Sequence, residues 1–218
     1  MVKKYDPDAF HHHPSVLVRF IERRRVKAIF KMMDNSEQDR ILEIGCGSGN
    51  VIEKASCGKL FGVDISLSIL FRAKRRLNPD KTINLIQGDA QNLPCRKQVF
   101  RRIICSEVLE HLMDPSEALE EVNRTLTSAG IAIVSVPNEL LINRIKSVLI
   151  RLRLFQRLFR QGEGYQQMPE KMEDEWHLHA MRLDEWLVLF KKSFRVTRLK
   201  RVPFLWLPIR YVVRLEKI

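Results

Sequence analysis

Cysteine is scarce in this 218-residue chain: Cys46, Cys57, Cys95 and Cys105 are the whole complement, with no C-x-x-C pair and no metal-ligand spacing toward the six histidines. That pattern excludes a disulfide framework and a structural zinc site. With no secretory n-region and h-region near Met1, it predicts a reducing, cytoplasmic setting. Long apolar runs are missing as well. The longest, around Leu140–Phe159, is broken by Arg or Lys every few residues, which excludes a membrane-crossing helix there. There is no internal repeat or low-complexity tract. A content of 45% hydrophobic and 29% charged residues excludes a disordered chain.

Acidic residues are in deficit, 26 against 38 Lys and Arg, for a net charge of +12. Such an excess suits an anionic partner, nucleic acid or an acidic membrane surface. Its distribution is uneven: +3 over residues 1–40, +4 over 41–100, −3 over 101–138 and +8 over 139–218. The middle of the chain is locally acidic, and the excess sits in the last third.

Periodicity predicts an N-terminal helix over 15–33, with Val16, Phe20, Val26, Ile29, Phe30 and Met33 at helical spacing. Strand-like segments follow at Arg40–Ile44, Leu60–Asp64, Ile83–Gln87, Arg102–Ser106 and Gly130–Val136, with helices expected between the first two, over 66–77 and over 116–126. This alternation predicts an α/β fold, a parallel sheet covered by helices on both faces. Beyond Pro137 a basic helix is expected over 140–160, an irregular connection over 161–176 and a helix over 183–192. Two strands, Phe194–Val202 and Ile209–Lys217, are joined by Pro203–Pro208 and predict an antiparallel pair at a sheet edge.

The segment Ile41-Leu-Glu-Ile-Gly-Cys-Gly-Ser-Gly49 places three glycines between a strand end and the next element. Such a turn lets a ligand approach the backbone closely. The dinucleotide pattern G-x-G-x-x-G fails, because its third glycine would fall on Asn50. Glu43, two residues before the loop, would repel a pyrophosphate and suits an ammonium group. Asp64 ends the next strand, 19 residues beyond Gly45, a position suited to a ribose diol.

ILEIGCGSGN, FGVDIS, IQGDAQNLPC and IICSEVLEHLMDP, in this order, resemble the motifs of class I S-adenosylmethionine-dependent methyltransferases, nearest the type 11/12 group that includes quinone-biosynthesis enzymes. The resemblance covers about residues 38–138. It implies a Rossmann-like, mostly parallel seven-stranded sheet with one antiparallel strand. It also implies S-adenosyl-L-methionine as cofactor, with Gly45, Cys46, Gly47 and Gly49 lining its methionine part and Glu43 supporting the loop and the amino group. By the same likeness Asp64 holds the ribose, Ile65 packs on the adenine, Asp89 and the Ala90 backbone meet its polar edge, and Ser106 and Glu107 lie beneath the sulfonium. The chain then divides into a helical lid (1–37), a cofactor core (38–138), a cap (139–181) and a C-terminal helix with a strand pair (182–218).

Oxygen or nitrogen acceptors call for a general base. His111, in Glu107-Val-Leu-Glu-His111, is a candidate, or else a histidine that fixes the loop. His177 and His179 alternate as in an extended segment and are candidates for substrate contact. His11–His13 with Tyr5 fit either a lid or a solvated turn.

On a helical wheel Leu141, Ile145, Val148, Leu149, Leu152, Phe155 and Phe159 form an apolar stripe, flanked by Arg144 and Arg151 and by Lys146, Arg153, Arg157 and Arg160. Ile150, Leu154 and Leu158 form a second stripe. A basic amphipathic segment of this kind suits peripheral contact with anionic lipid, or a cap with solvated arginines. The expected function is methyl transfer to a small, hydrophobic, lipid- or quinone-like acceptor. Alternatives are an RNA or protein methyltransferase and a non-catalytic cofactor-binding protein at a membrane surface. Nucleic acid is disfavoured, because no N/D-P-P-Y tetrapeptide follows the fourth strand, where Ser106-Glu-Val-Leu109 stands.

Overall fold

The computed structural model describes residues 15–34, 38–56, 58–153 and 178–218. Tyr5, His11–His13, Cys57, His177 and the end of the expected basic helix beyond residue 153 lie outside these. Helix α1 (Val16–Met33) is followed by β1 (Arg40–Ile44), a single 3-10 turn (Ile52–Lys54), β2 (Lys59–Asp64), α2 (Leu67–Arg76) and β3 (Ile83–Gln87). Then come β4 (Phe100–Ser106), a second 3-10 turn (Leu109–His111), α3 (Pro115–Thr125) and β5 (Leu126–Pro137). The chain continues with α4 (Glu139–Arg151), α5 (Leu183–Phe190), β6 (Phe194–Pro203) and β7 (Pro208–Lys217).

The seven strands form one sheet in the order β3-β2-β1-β4-β5-β7-β6. The first five are parallel, and β7 runs antiparallel to both β5 and β6. Side chains alternate across the sheet because the strand period is two. On one face Ile41, Ile104, Ile131, Ile133 and Val212 meet Val26, Ile29, Met32 and Met33 of α1. On the other, Leu42, Ile44, Ile103, Cys105, Val134 and Val213 meet α3 and α5 through Ala118, Val122, Trp186 and Phe190. Burying such side chains contributes roughly 1.5–3 kcal/mol each, so burial on both faces anchors the helices to the sheet.

Helix α1 lies antiparallel to β4. Near its end the Met33 carbonyl accepts from Arg102 Nε at 2.7 Å, and nearer its start Arg25 donates to Ser106 at the carboxyl end of β4. Asp114 caps α3 by accepting from Ser116 N at 2.7 Å, with Pro115 in the first turn.

One expectation changes. The helix expected after the glycine loop is a single 3-10 turn, because residues 45–50 are spent on the loop and Gly58, at φ 94°, already turns the chain into β2. In α4 the buried residues are Glu139 and Lys146, while Val148 and Leu152 of the expected stripe are exposed. Positions seven apart share a helix face, so α4 turns a charged face inward beside β7. Among the described residues no helix is long and apolar enough to cross a membrane.

Candidate functional site

The carboxyl ends of β1, β2, β3 and β4 meet at one rim, and every expected cofactor residue lies on it. Gly45, Gly47 and Gly49 have φ of 65°, 52° and 81°, left-handed values that a side chain rarely adopts. At Gly45 the crowding is also steric: a Cβ would run into the Val108 side chain. Cys46 is buried with its amide on Val63 O at 2.9 Å, and burial holds its thiol protonated. Arg76, at the end of α2, donates to Ser48 O through Nε (3.0 Å) and Nη2 (2.8 Å), clamping the loop from outside.

Asp64 links two loops. Its Oδ2 accepts from Gly47 N at 2.8 Å and its Oδ1 from Ser66 N at 2.9 Å. A carboxylate has about four acceptor positions, so roughly two remain open. Glu43 lies behind the glycine loop, 3% exposed, with Oε2 accepting from Ile52 N at 2.8 Å. Burial raises its pKa to about 8, against the opposing pull of the Ile52 amide and the Arg25 charge. Ile65 is 69% exposed beside Asp64. Asp89 closes its own turn, accepting from Gln91 N at 2.9 Å, and Ala90 is buried next to it.

At the end of β4 stands a polar network. Glu107 is a non-glycine residue at φ 56°, a strained conformation of the sort that accumulates at functional sites. Its Oε1 accepts from Ser135 Oγ at 2.9 Å, and its Oε2 lies 2.5 Å from Arg210 Nε. Ser106 Oγ is 2.8 Å from Ser135 Oγ, and Arg25 donates to Ser106 and, at 3.5 Å, to Ser135. Arg25 itself pairs with Glu22 at 2.5 Å inside the helix–sheet contact. Burial opposes its charge, but Glu22, Glu107 and Glu43 together hold its pKa above the ordinary value.

His111 is half-buried in the 3-10 turn that follows β4, its amide on Val108 O at 3.0 Å. His179 reaches the same turn, with Nε2 2.9 Å from Leu112 O. Glu110, next to His111 in the chain, is fully buried, and among the described residues neither carboxyl oxygen is hydrogen-bonded; burial, then the nearby Glu107 charge, pushes its pKa well up. Glu22, Arg25, Arg76, Glu110, Ser135 and Arg210 are absent from the sequence-derived site. Glu22 and Arg25 were visible as charged residues on the buried stripe of α1, at the same helical spacing as Val26 and Ile29. Ser135 was visible as the one polar residue between Ile131 and Val136.

Residues 42–134 match the profile of the methyltransferase domain family, type 11. These residues are a class I methyltransferase domain of type 11. Over 112 residues, 49% of the chain, the sequence is 30% identical to a demethylmenaquinone methyltransferase of Staphylococcus saprophyticus, of which it covers 48%. An uncharacterized Methanocaldococcus jannaschii protein is 27% identical over 139 residues, 62% of this chain and 59% of that one. The chain thus spans about half the length of the curated relatives it matches. A solved S-adenosylmethionine-dependent methyltransferase from Aquifex aeolicus superposes with a TM-score of 0.66 at 16% identity, over 99% of this chain and 100% of that one, which establishes the shared fold.

The cofactor of type 11 methyltransferase domains is S-adenosylmethionine, and the residues at the rim fit it. A buried carboxyl behind a left-handed glycine loop suits a cationic amino acid end, and a second carboxylate with open acceptor positions suits a diol.

Proposed function

We propose that the chain transfers a methyl group from S-adenosylmethionine to a small apolar acceptor of quinone- or lipid-like character. The observation that carries the reading is Asp64, which joins the glycine loop to the β2–α2 turn and keeps acceptor positions open at the rim. The bound cofactor supplies an electrophilic methyl group on a sulfonium. The protein's part is to hold both reactants in line and exclude water.

In this reading the backbone of Gly45, Cys46, Gly47 and Gly49 accommodates the methionine end, and Glu43 faces its ammonium. Asp64 accepts the ribose hydroxyls, Ile65 covers the adenine, and Asp89 with the Ala90 backbone meets its polar edge. Ser106 and Glu107, held by Ser135, Arg25 and Arg210, set the floor below the reacting centre. His111 and His179 meet at one turn, where either can take a proton or orient the acceptor. The 139–181 segment serves as a cap. The quinone-like acceptor is supported by the demethylmenaquinone methyltransferases among the relatives.

Calorimetry with S-adenosylmethionine and its demethylated product tests the site. Binding of both, weakened at least about a hundredfold by Asp64→Ala, is expected from the loss of charge-assisted hydrogen bonds. Unchanged affinity in that variant refutes the assignment. Methyl transfer to apolar quinols, with none to RNA or protein, is the expected acceptor profile.

A further inference from the structure

The connection between β6 and β7 lies on the same rim as the candidate site, because Pro137 at the end of β5 pairs with Arg210, and Pro203 with Pro208. Its tip carries Phe204, Leu205 and Trp206, the last two 73% and 77% exposed. Phe204 and Trp206 stack with ring centres 5.2 Å apart and planes 2° from parallel. Phe20 of α1 sits 6.0 Å from Phe204, and Arg24 lies over both phenylalanine rings at 5.8 and 5.9 Å. One turn earlier on α1, Val16 and Leu17 are exposed. The start of α4 adjoins this tip, since Asn138 Nδ2 donates to Pro208 O at 2.9 Å, and Leu140 is exposed there.

Arg24, Lys200 and Arg201 line a shallow cleft of about 390 Å³ together with Leu199, Pro203 and the three apolar tip residues, and among the described residues no acidic one lines it. Aliphatic and aromatic side chains are thus displayed on an ordered, stacked platform with cations at its side. Water gains nothing from such a display, whereas a bilayer boundary takes the apolar groups and its anionic headgroups take the cations.

We propose that the β6–β7 tip and the first turns of α1 dock onto an anionic lipid surface. Trp206 and Leu205 enter the headgroup–acyl boundary, while Arg24, Lys200 and Arg201 meet lipid phosphates. The exposed aliphatics Val16, Leu17 and Leu205 favour lipid over RNA, because bases stack on rings and Phe204 already spends one face on Trp206. The proposal is independent of methyl transfer, since it uses none of the residues assigned to the cofactor.

The test is flotation of the full chain with phosphatidylglycerol-containing and pure phosphatidylcholine vesicles, at low salt and at about 0.5 M salt, where screening is nearly complete beyond a few ångströms. Binding to the anionic vesicles at low salt, lost in high salt, is expected. Lys200→Glu with Arg201→Glu weakens it by about tenfold or more, and Leu205→Ser with Trp206→Ser abolishes it. Both variants keep the wild-type circular dichroism and S-adenosylmethionine affinity, because every altered side chain is exposed or half-exposed; this separates failure here from failure of the cofactor assignment. No binding at low salt, or equal binding by the variants, overturns the proposal. So does vesicle indifference joined to salt-sensitive RNA binding, or a dimer that the Trp206→Ser change dissolves.

Discussion

Ser135 Oγ lies 2.9 Å from Glu107 Oε1 and 2.8 Å from Ser106 Oγ, and donor counting orients the protons between them. A guanidinium only donates, so Ser106 accepts from Arg25 and passes its own proton to Ser135, which donates to the Glu107 carboxylate. The chain of bonds therefore runs one way, from the N-terminal helix to the end of β4.

Ser135→Ala breaks that chain in the middle and leaves a buried donor and part of a carboxylate unsatisfied. A loss of about 1–3 kcal/mol in urea unfolding is expected. Unfolding at the wild-type urea concentration would show that the four side chains do not act as one network.

Gly45→Ala forces a side chain into a left-handed residue and against Val108. The backbone part costs about 1–2 kcal/mol, and the collision adds to it. A second change, Val108→Ala, restores only the collision part. Recovery of full stability in the double variant, measured by thermal melting, would mean that the φ angle carries no strain.

Glu43 titrates in the folded chain near pH 8, against an ordinary value of 4.5. Between these values the folded state holds a proton that the unfolded state has released. The stability owed to this carboxyl is full below pH 4.5 and falls as pH rises toward 8, at up to about 1.4 kcal/mol per pH unit. Glu43→Gln cannot titrate, so its advantage over wild type should grow across that window. Parallel stability–pH curves for the two proteins would refute the buried, neutral carboxyl.

Glu110 buries a carboxyl whose oxygens have no hydrogen bond among the described residues. Glu110→Met keeps the volume and removes the unsatisfied group, with an expected gain of about 1–2 kcal/mol, or a few degrees in melting temperature. A variant less stable than wild type would mean that the carboxyl has a partner in solution.

The strands and the glycine loop were legible because their signals are local. An apolar run such as Ile131–Val134, or three glycines between Ile44 and Asn50, announces itself within ten residues. The network beneath the site was not legible for the opposite reason. Its members come from α1, β4, β5 and β7, so Arg25, though on the buried stripe of α1, has no readable partner until Ser106, 81 positions away, supplies its acceptor. Arg210 likewise reads as an edge-strand cation until Glu107 is set beside it. The 3-10 turn after the glycine loop escaped because helix propensity ignores how few residues a loop leaves for the next element. In α4 the wheel did not show that Lys146 is buried, because what covers a helix face lies outside the helix itself.

Because Asp64 takes one amide from the glycine loop and another from the β2–α2 turn, and Gly88 N reaches Asp64 O at 3.1 Å, three loops are cross-tied before any ligand arrives. A ligand entering such a rim spends little of its binding free energy on ordering protein, since the disordering entropy was surrendered during folding. Affinity then depends on contacts alone, and loosening any one tie should appear first as faster dissociation.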